Sequence, residues 1–280
     1  MALDISKLKS RLNSLSNQGN KTNLIWKPKP GKQVVRIVPY KYTPDNPFIE
    51  LKFHYNLNGK TYLSPDSFGR PDPIVEFSNR LKKTGDKEDW KNGRKLEPKM
   101  RTFAPIFVRG EEHEGIKFWG FGKQVYQEIL SIISDPDYGD ITDLTNGRDI
   151  VVEFRTAEES GKSFPETTIR VKPNATTAVD PKNSELVDAI KSQTNILDLF
   201  PELSYEELKD VMDKWLNPES GEPSETVEGA VGTVDEEATE AVATSAVKSA
   251  PSAPVSPTAA KAKAGASDDV TKAFDDLFNS

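Results

Sequence analysis

At 280 residues with no Cys, the chain has room for one sizeable domain plus extensions, and disulfides and thiolate metal sites are excluded. Its formal net charge of −7 hides a split: residues 1–110 carry 22 Lys+Arg against 10 Asp+Glu, residues 111–217 carry 11 against 22, and residues 218–280 carry 4 against 12. A basic first half points to a polyanion, nucleic acid or a membrane surface, while an acidic end can compete with one. An unevenly charged, solvated surface is the plainer alternative. No apolar run approaches the roughly 18 residues of a membrane span, and MALDISKLKSRLNSL lacks the apolar core and cleavage site of a signal peptide.

In chain order, Leu8, Leu12 and Leu15 recur at helical spacing beside Lys7, Lys9 and Arg11, and a polar stretch over 16–20 follows. From Ile25 the pattern becomes strand-like. Residues 33–39 are β-branched, and 48–55 alternate, with Ile49, Leu51 and Phe53 opposite Glu50, Lys52 and His54. Asn58-Gly59 is a tight-turn signal into a strand over 60–63. Asp72-Pro73 predicts a helix start, with Ile74, Phe77 and Leu81 as its buried stripe and Gly85 as its stop. Residues 82–100 are polar, basic and glycine-punctuated, and they read as a loop. Strands are predicted over 102–108 and 116–121, a helix over 123–134, and a strand pair over 150–156 and 167–172. After Pro173 the pattern turns helical, and Ser204 with Glu207 fits a capping box opening a helix to Leu216.

Residues 218–267 are rich in Ala, Ser, Thr, Pro and Glu and cannot bury enough surface to offset ordering entropy, so they are predicted to be a disordered linker. The chain closes on an acidic segment, 268–280. The fold class expected is mainly β with inserted helices (α+β): a Greek-key barrel of the OB type with a smaller side lobe, C-terminal helices and a disordered acidic tail.

Catalytic patterns are scarce. Gly161-Lys162-Ser163 resembles the end of a P-loop, but Thr156 stands where that motif needs Gly. His113-Glu114 has no second His at helical spacing, and the chain holds only His54 and His113. We therefore expect no enzyme. Basic and aromatic residues interleave instead, at Trp26-Lys27, Tyr40-Lys41-Tyr42, Lys52-Phe53, Lys60-Thr61-Tyr62, Arg101-Thr102-Phe103 and Lys117-Phe118-Trp119, with Arg36 among them. Single-strand binding needs such cations for phosphates and aromatic faces for bases. For Phe53, Phe77, Phe107 and Phe118 a core position is the better reading, because alternate strand residues face inward.

The order of segments resembles the single-stranded DNA-binding protein family of T-even-type tailed bacteriophages. The residues that carry the resemblance are the Leu-bearing basic start, Trp26-Lys27, Val35-Arg36-Ile37-Val38-Pro39, Pro47-Phe48, His54 and Asn58-Gly59-Lys60 with Tyr62. Glu114-Gly115-Ile116-Lys117-Phe118, Phe121-Gly122-Lys123 and the acidic end Asp275-Asp276-Leu277-Phe278-Asn279 complete it. The resemblance implies an OB-type core over 21–217 and cooperative, sequence-blind coating of single-stranded DNA. It further implies roles in replication, recombination and repair in the cytoplasm of an infected bacterial host.

Phosphate contacts are then expected from Arg36, Lys52, Lys60, Lys99, Arg101 and Lys123, and stacking from Tyr62, Phe103, Trp119 and Phe164. Residues 1–20, with Lys7, Lys9 and Arg11, are expected to form an arm for self-association along DNA. In the tail, Asp268, Asp269, Asp275 and Asp276 flank Phe274, Leu277 and Phe278 as a stripe for replication and recombination partners. The family usually holds zinc through three Cys and one His. His54 falls at the His position, but 64–77 holds no Cys, so no cofactor is expected and the lobe must be held by packing of Phe68, Ile74, Phe77 and Leu81. The alternative is a non-enzymatic replisome scaffold that recruits partners through its acidic tail, with DNA contact incidental; no membrane partner is expected in either case.

Overall fold

Alternating and β-branched segments between Ile25 and Thr176 assemble into one mixed sheet of eight strands in a computed structural model, which describes residues 24–180 and 182–217. The strands are β1 (Ile25–Trp26), β2 (Gly31–Ile37), β3 (Ile49–Leu57), β4 (Lys60–Leu63), β5 (Lys99–Val108), β6 (Lys117–Phe121), β7 (Gly147–Arg155) and β8 (Glu166–Thr176). The hydrogen-bonded path runs β1-β6-β5-β2-β7-β8, with β3 added to β5 and β4 to β3. Only β1–β6 is parallel; the other ladders are antiparallel.

Strand β5 organises the sheet because it is long enough to take two partners on one edge. Its first half pairs with β3, Phe53 facing Lys99 and Ile49 facing Phe103. Its last three residues pair with β2, Ile37 facing Ile106 and Val35 facing Val108. The opposite edge carries β6, with Thr102 facing Phe121 and Ile106 facing Lys117. The expected Asn58-Gly59 turn joins β3 to β4, with both residues at positive φ, 53° and 73°, as a two-residue hairpin of this hand requires.

Both faces of this sheet are covered. Trp26, Val35, Ile37, Ala104, Ile106 and Trp119 pack with Ile129, which follows β6 in sequence. Across the sheet Leu51, Phe53, Phe103 and Phe118 lie under Ile196 and Phe200, which follow the strands in sequence. The alternation along β5 and β6 sends Phe103 and Phe118 to this second face and Ala104 and Trp119 to the first.

Helix α1 (Pro73–Leu81) begins as expected: Asp72 caps Ile74 and Val75, and Pro73 occupies the first turn. The loop expected over 82–100 is instead largely a second helix, α2 (Lys87–Leu96), capped by Asp86. Helices α3 (Lys123–Ile133), α4 (Ala157–Ser160, a single turn), α5 (Ser184–Lys191) and α6 (Tyr205–Leu216) follow. The Ser204–Glu207 capping box opens α6 as expected. Helix α6 returns to the lobe, where Leu208, Met212 and Leu216 join Leu57, Ile74, Phe77, Leu81 and Leu96 in one apolar cluster. Of the four residues expected to hold the lobe, Phe68 is the exception: it is exposed, with the Arg70 guanidinium 4.9 Å from its ring centroid. Among the described residues no helix is long and apolar enough to cross a membrane. The arm, the linker and the acidic tail lie outside the described residues.

Candidate nucleic-acid interface

The β3–β5 ladder places Leu51 opposite Arg101 and Phe53 opposite Lys99, so Lys99 and Arg101 stand two residues apart on one sheet face. Arg101 Nη2 donates to the carbonyl of Gly120 at 2.9 Å, which fixes the guanidinium over β6. Gly120 suits this site because a Cβ there would lie 2.8 Å from the Phe103 ring. Tyr55, two residues beyond Phe53 on the same face, is half-buried; burial pushes its phenol up and nearby Arg101 opposes the shift. Lys99 is exposed, and neither it nor Lys60 nor Lys123 forms an ion pair with a described carboxylate. Lys123 opens α3 after Gly122, with no side-chain cap and no acid in the first turn, so the helix's free N–H groups add to its positive charge. Lys52 is tied to Asp66 at 2.6 Å. Tyr62, opposite His54 on β4, is half-buried against the lobe cluster, and burial raises its phenol pKa.

Three expected contacts are interior residues instead. Arg36 is 0 % exposed, with Nη1 3.2 Å from Asp149 Oδ1 and Nη2 donating to the carbonyls of Asp143 and Thr176. Burial, together with neighbouring Arg109, lowers its pKa, while Asp149 and Asp143 oppose the shift. Phe103 is packed edge-on against Phe53 and lies 5.2 Å from the Phe200 ring. Trp119 is 1 % exposed, edge-on to Trp26 at 5.8 Å. None of the three offers a free face to a base or a phosphate. Phe164 is half-buried in the connection between β7 and β8.

The exposed aromatic faces are elsewhere. Trp90 on α2 is 50 % exposed, with the Arg94 guanidinium 5.6 Å from its ring. Tyr42 is 48 % exposed beside the Lys41 ammonium at 5.5 Å, and Phe68 pairs with Arg70. An exposed ring held beside a cation is the surface that a base and its phosphate need together. Helix α2 adds Lys87, Lys91 and Lys95 to Trp90 and Arg94. It sits close on α1 because Gly93 faces Ser78: a Cβ there would come within 2.8 Å of the Ser78 carbonyl, and the Ser78 hydroxyl donates to Gly93 O at 2.7 Å.

The gp32 DNA binding protein like family model matches residues 29–217, from just before β2 through α6. The chain belongs to this family. No curated protein matches it. The match embraces the lobe and every strand but β1, so the cations of β5 and the exposed Trp90 of α2 lie within a DNA-binding unit of the gp32 type.

The zinc that the family resemblance implies does not fit this member. His54 is buried with both ring nitrogens engaged, Nδ1 with the carbonyl of Leu96 and Nε2 with Asp72 Oδ2, each at 2.9 Å. Asp72 Oδ2 also accepts from the Ser64 hydroxyl, and Oδ1 accepts from the N–H groups of Ile74 and Val75. Every donor and acceptor is therefore spent inside the protein. Among the described residues no group of three His, Cys, Asp or Glu could hold a metal. The clasp ties β3, the end of α2 and the start of α1 into one unit. Burial acts to raise the Asp72 pKa, but hydrogen bonds from His54, Ser64 and the Val75 N–H outweigh it and the net shift is downward.

Proposed function

We propose that the protein is a non-enzymatic single-stranded DNA-binding protein that coats DNA cooperatively and with little regard to sequence. The observation that carries this reading is membership of the gp32-like family over residues 29–217, which hold the lobe and every strand but β1. The proposed phosphate contacts are Lys52, Lys60, Lys99, Arg101 and Lys123, with Lys87, Lys91, Arg94 and Lys95 of α2. The proposed stacking faces are Trp90, Tyr42 and Phe68, with Tyr62 and Phe164 retained at the margins. Arg36, Phe103 and Trp119 are assigned to the interior.

The sheet is read as an OB-type barrel, in keeping with a long central strand that pairs with three others. Residues 1–20 act in self-association along the strand, and residues 268–280 recruit replication and recombination proteins across the linker over 218–267. The setting is phage DNA replication, recombination and repair in the cytoplasm of an infected bacterium. The lobe works without zinc, through the His54–Asp72–Ser64 clasp.

Titration of fluorescent oligo(dT) across salt concentrations, with a duplex of equal length as control, tests the core of this reading. Affinity for the single strand should fall linearly on a log–log salt plot as phosphates release counterions, and duplex should bind far more weakly. Equal affinity for both, or a flat salt response, would overturn it.

A further inference from the structure

Away from the lobe, a cleft of about 570 Å³ opens between the β5–β6 turn and α5. Glu112, Glu114, Asp180 and Glu185 line it. Arg109, the sole lysine or arginine among its lining residues, is held 2.8 Å from Asp149 and lies 3.8 Å from Glu112, and Lys117 pairs with Glu114, which leaves Asp180 and Glu185 without an ion pair among the described residues. Its apolar floor is built by Val179, Leu186 and Ala189. An acidic rim over an apolar floor calls for a basic segment with an apolar stripe. Residues 1–18 have that composition, with Lys7, Lys9 and Arg11 beside Leu8, Leu12 and Leu15.

The chain's path supports the match. Strand β1 runs parallel to β6, Ile25 beside Phe118, so the segment preceding β1 leaves the sheet at the start of β6. Glu112, Glu114 and Gly115 of the cleft wall lie a few residues before that point. Residues 19–23 span at most roughly 18 Å when extended, so the arm has to dock on the part of its own molecule near the start of β1 and β6.

We propose that the cleft is the docking site for residues 1–18 of the same chain in the free protein. The inference rests on reading this segment as an association arm. It adds that the arm is parked on its own molecule until neighbouring copies on a strand take it in exchange, since swapping an identical contact between copies costs little.

The absence of Cys makes a direct test available. The full-length Ser10→Cys/Ser184→Cys variant places one thiol on the arm and one beside the cleft rim while leaving every charge in place, and Ser10→Cys/Lys83→Cys serves as control. Docking brings the first pair within disulfide reach, so oxidation of dilute protein without DNA should yield an intramolecular disulfide at least about tenfold faster than in the control. Equal rates would overturn the inference, as would crosslinks that form only between copies. Deleting residues 1–18 tests the arm reading separately: if affinity for long strands stays unchanged relative to short oligonucleotides, the association role fails whatever the crosslinks show.

Discussion

Arg36 and Asp72 show how charge is used inside this molecule. Asp149 takes three cations: Arg36 at 3.2 Å, Arg109 at 2.8 Å and Lys172 at 3.7 Å. Arg36 is fully buried, and its Nε finds no partner. Removing the carboxylate strands that guanidinium, so Asp149→Asn should cost about 3–5 kcal/mol in a denaturant titration. A loss below about 1 kcal/mol would mean that the surrounding carbonyls hold Arg36 unaided.

For Asp72 the folded pKa lies below its ordinary value of 3.8. Its contribution is therefore complete above that value and is lost as pH falls through the lower, folded one. Wild-type stability should drop on acidification below about pH 4 by more than that of Asp72→Asn, which lacks the titrating group. Parallel acid-denaturation curves would remove Asp72 as a source of that dependence. In sequence Arg36 reads as a phosphate contact and Asp149 is not singled out, although both stand beside Val and Ile of buried strands. What the pattern did not reveal was that each answers the other across 113 positions.

At the scale of elements, α2 is where the sequence reading and the structure part. KEDWKNGRKL has no apolar stripe, and only Gly93 and Leu96 of the helix are buried. Hydrophobic periodicity is therefore blind to it, whereas the cap Asp86, acids at 88 and 89 and bases at 94 and 95 follow the helix dipole. Gly93 reads as a breaker in sequence, yet its missing side chain is what lets α2 approach α1. The strands and the β3–β4 turn were legible because period-two alternation and Asn-Gly act locally. Burial of Phe103 was not, because its cover, Phe200, arrives nearly a hundred residues later and belongs to no strand.

The consequence for binding falls on Trp90. If Trp90 stacks on a base, Trp90→Ala should weaken single-strand binding by about 1–3 kcal/mol with an unchanged thermal midpoint. Quenching of tryptophan emission by oligo(dT) should be largely lost with it, since Trp26 and Trp119 are buried and Trp215 is half-buried against the lobe cluster. Unaltered affinity would move the stacking surface to Tyr42 and Phe68. Gly93→Ala tests the packing instead: forcing a Cβ against the Ser78 carbonyl should destabilise the lobe by about 1–3 kcal/mol.

For the whole molecule, the distribution of charge matters more than its sum. Residues 1–217 are close to neutral overall, but their cations concentrate before Gly110, and the acidic excess of the chain resides after residue 217. A coil of 50 residues has a root-mean-square span of roughly 40 Å. A folded unit of about 190 residues has a radius of gyration of roughly 16 Å. On the proposed reading of residues 218–267 as a coil, the tail would reach every face of its own domain, including the cations of β5 and α2, and its carboxylates would compete with phosphates for them. Removing residues 218–280 should therefore raise single-strand affinity at low salt. The gain should shrink as ionic strength rises, because at 0.1 M the screening length is only about 10 Å. The apolar stripe of the tail separates a second role from this one. Phe274→Ala with Phe278→Ala leaves every carboxylate in place, so it should keep the low-salt competition while abolishing pull-down of replication partners. Truncation that leaves low-salt affinity untouched would end the competition argument, and a double-alanine variant that still recruits partners would end the docking argument with the other intact.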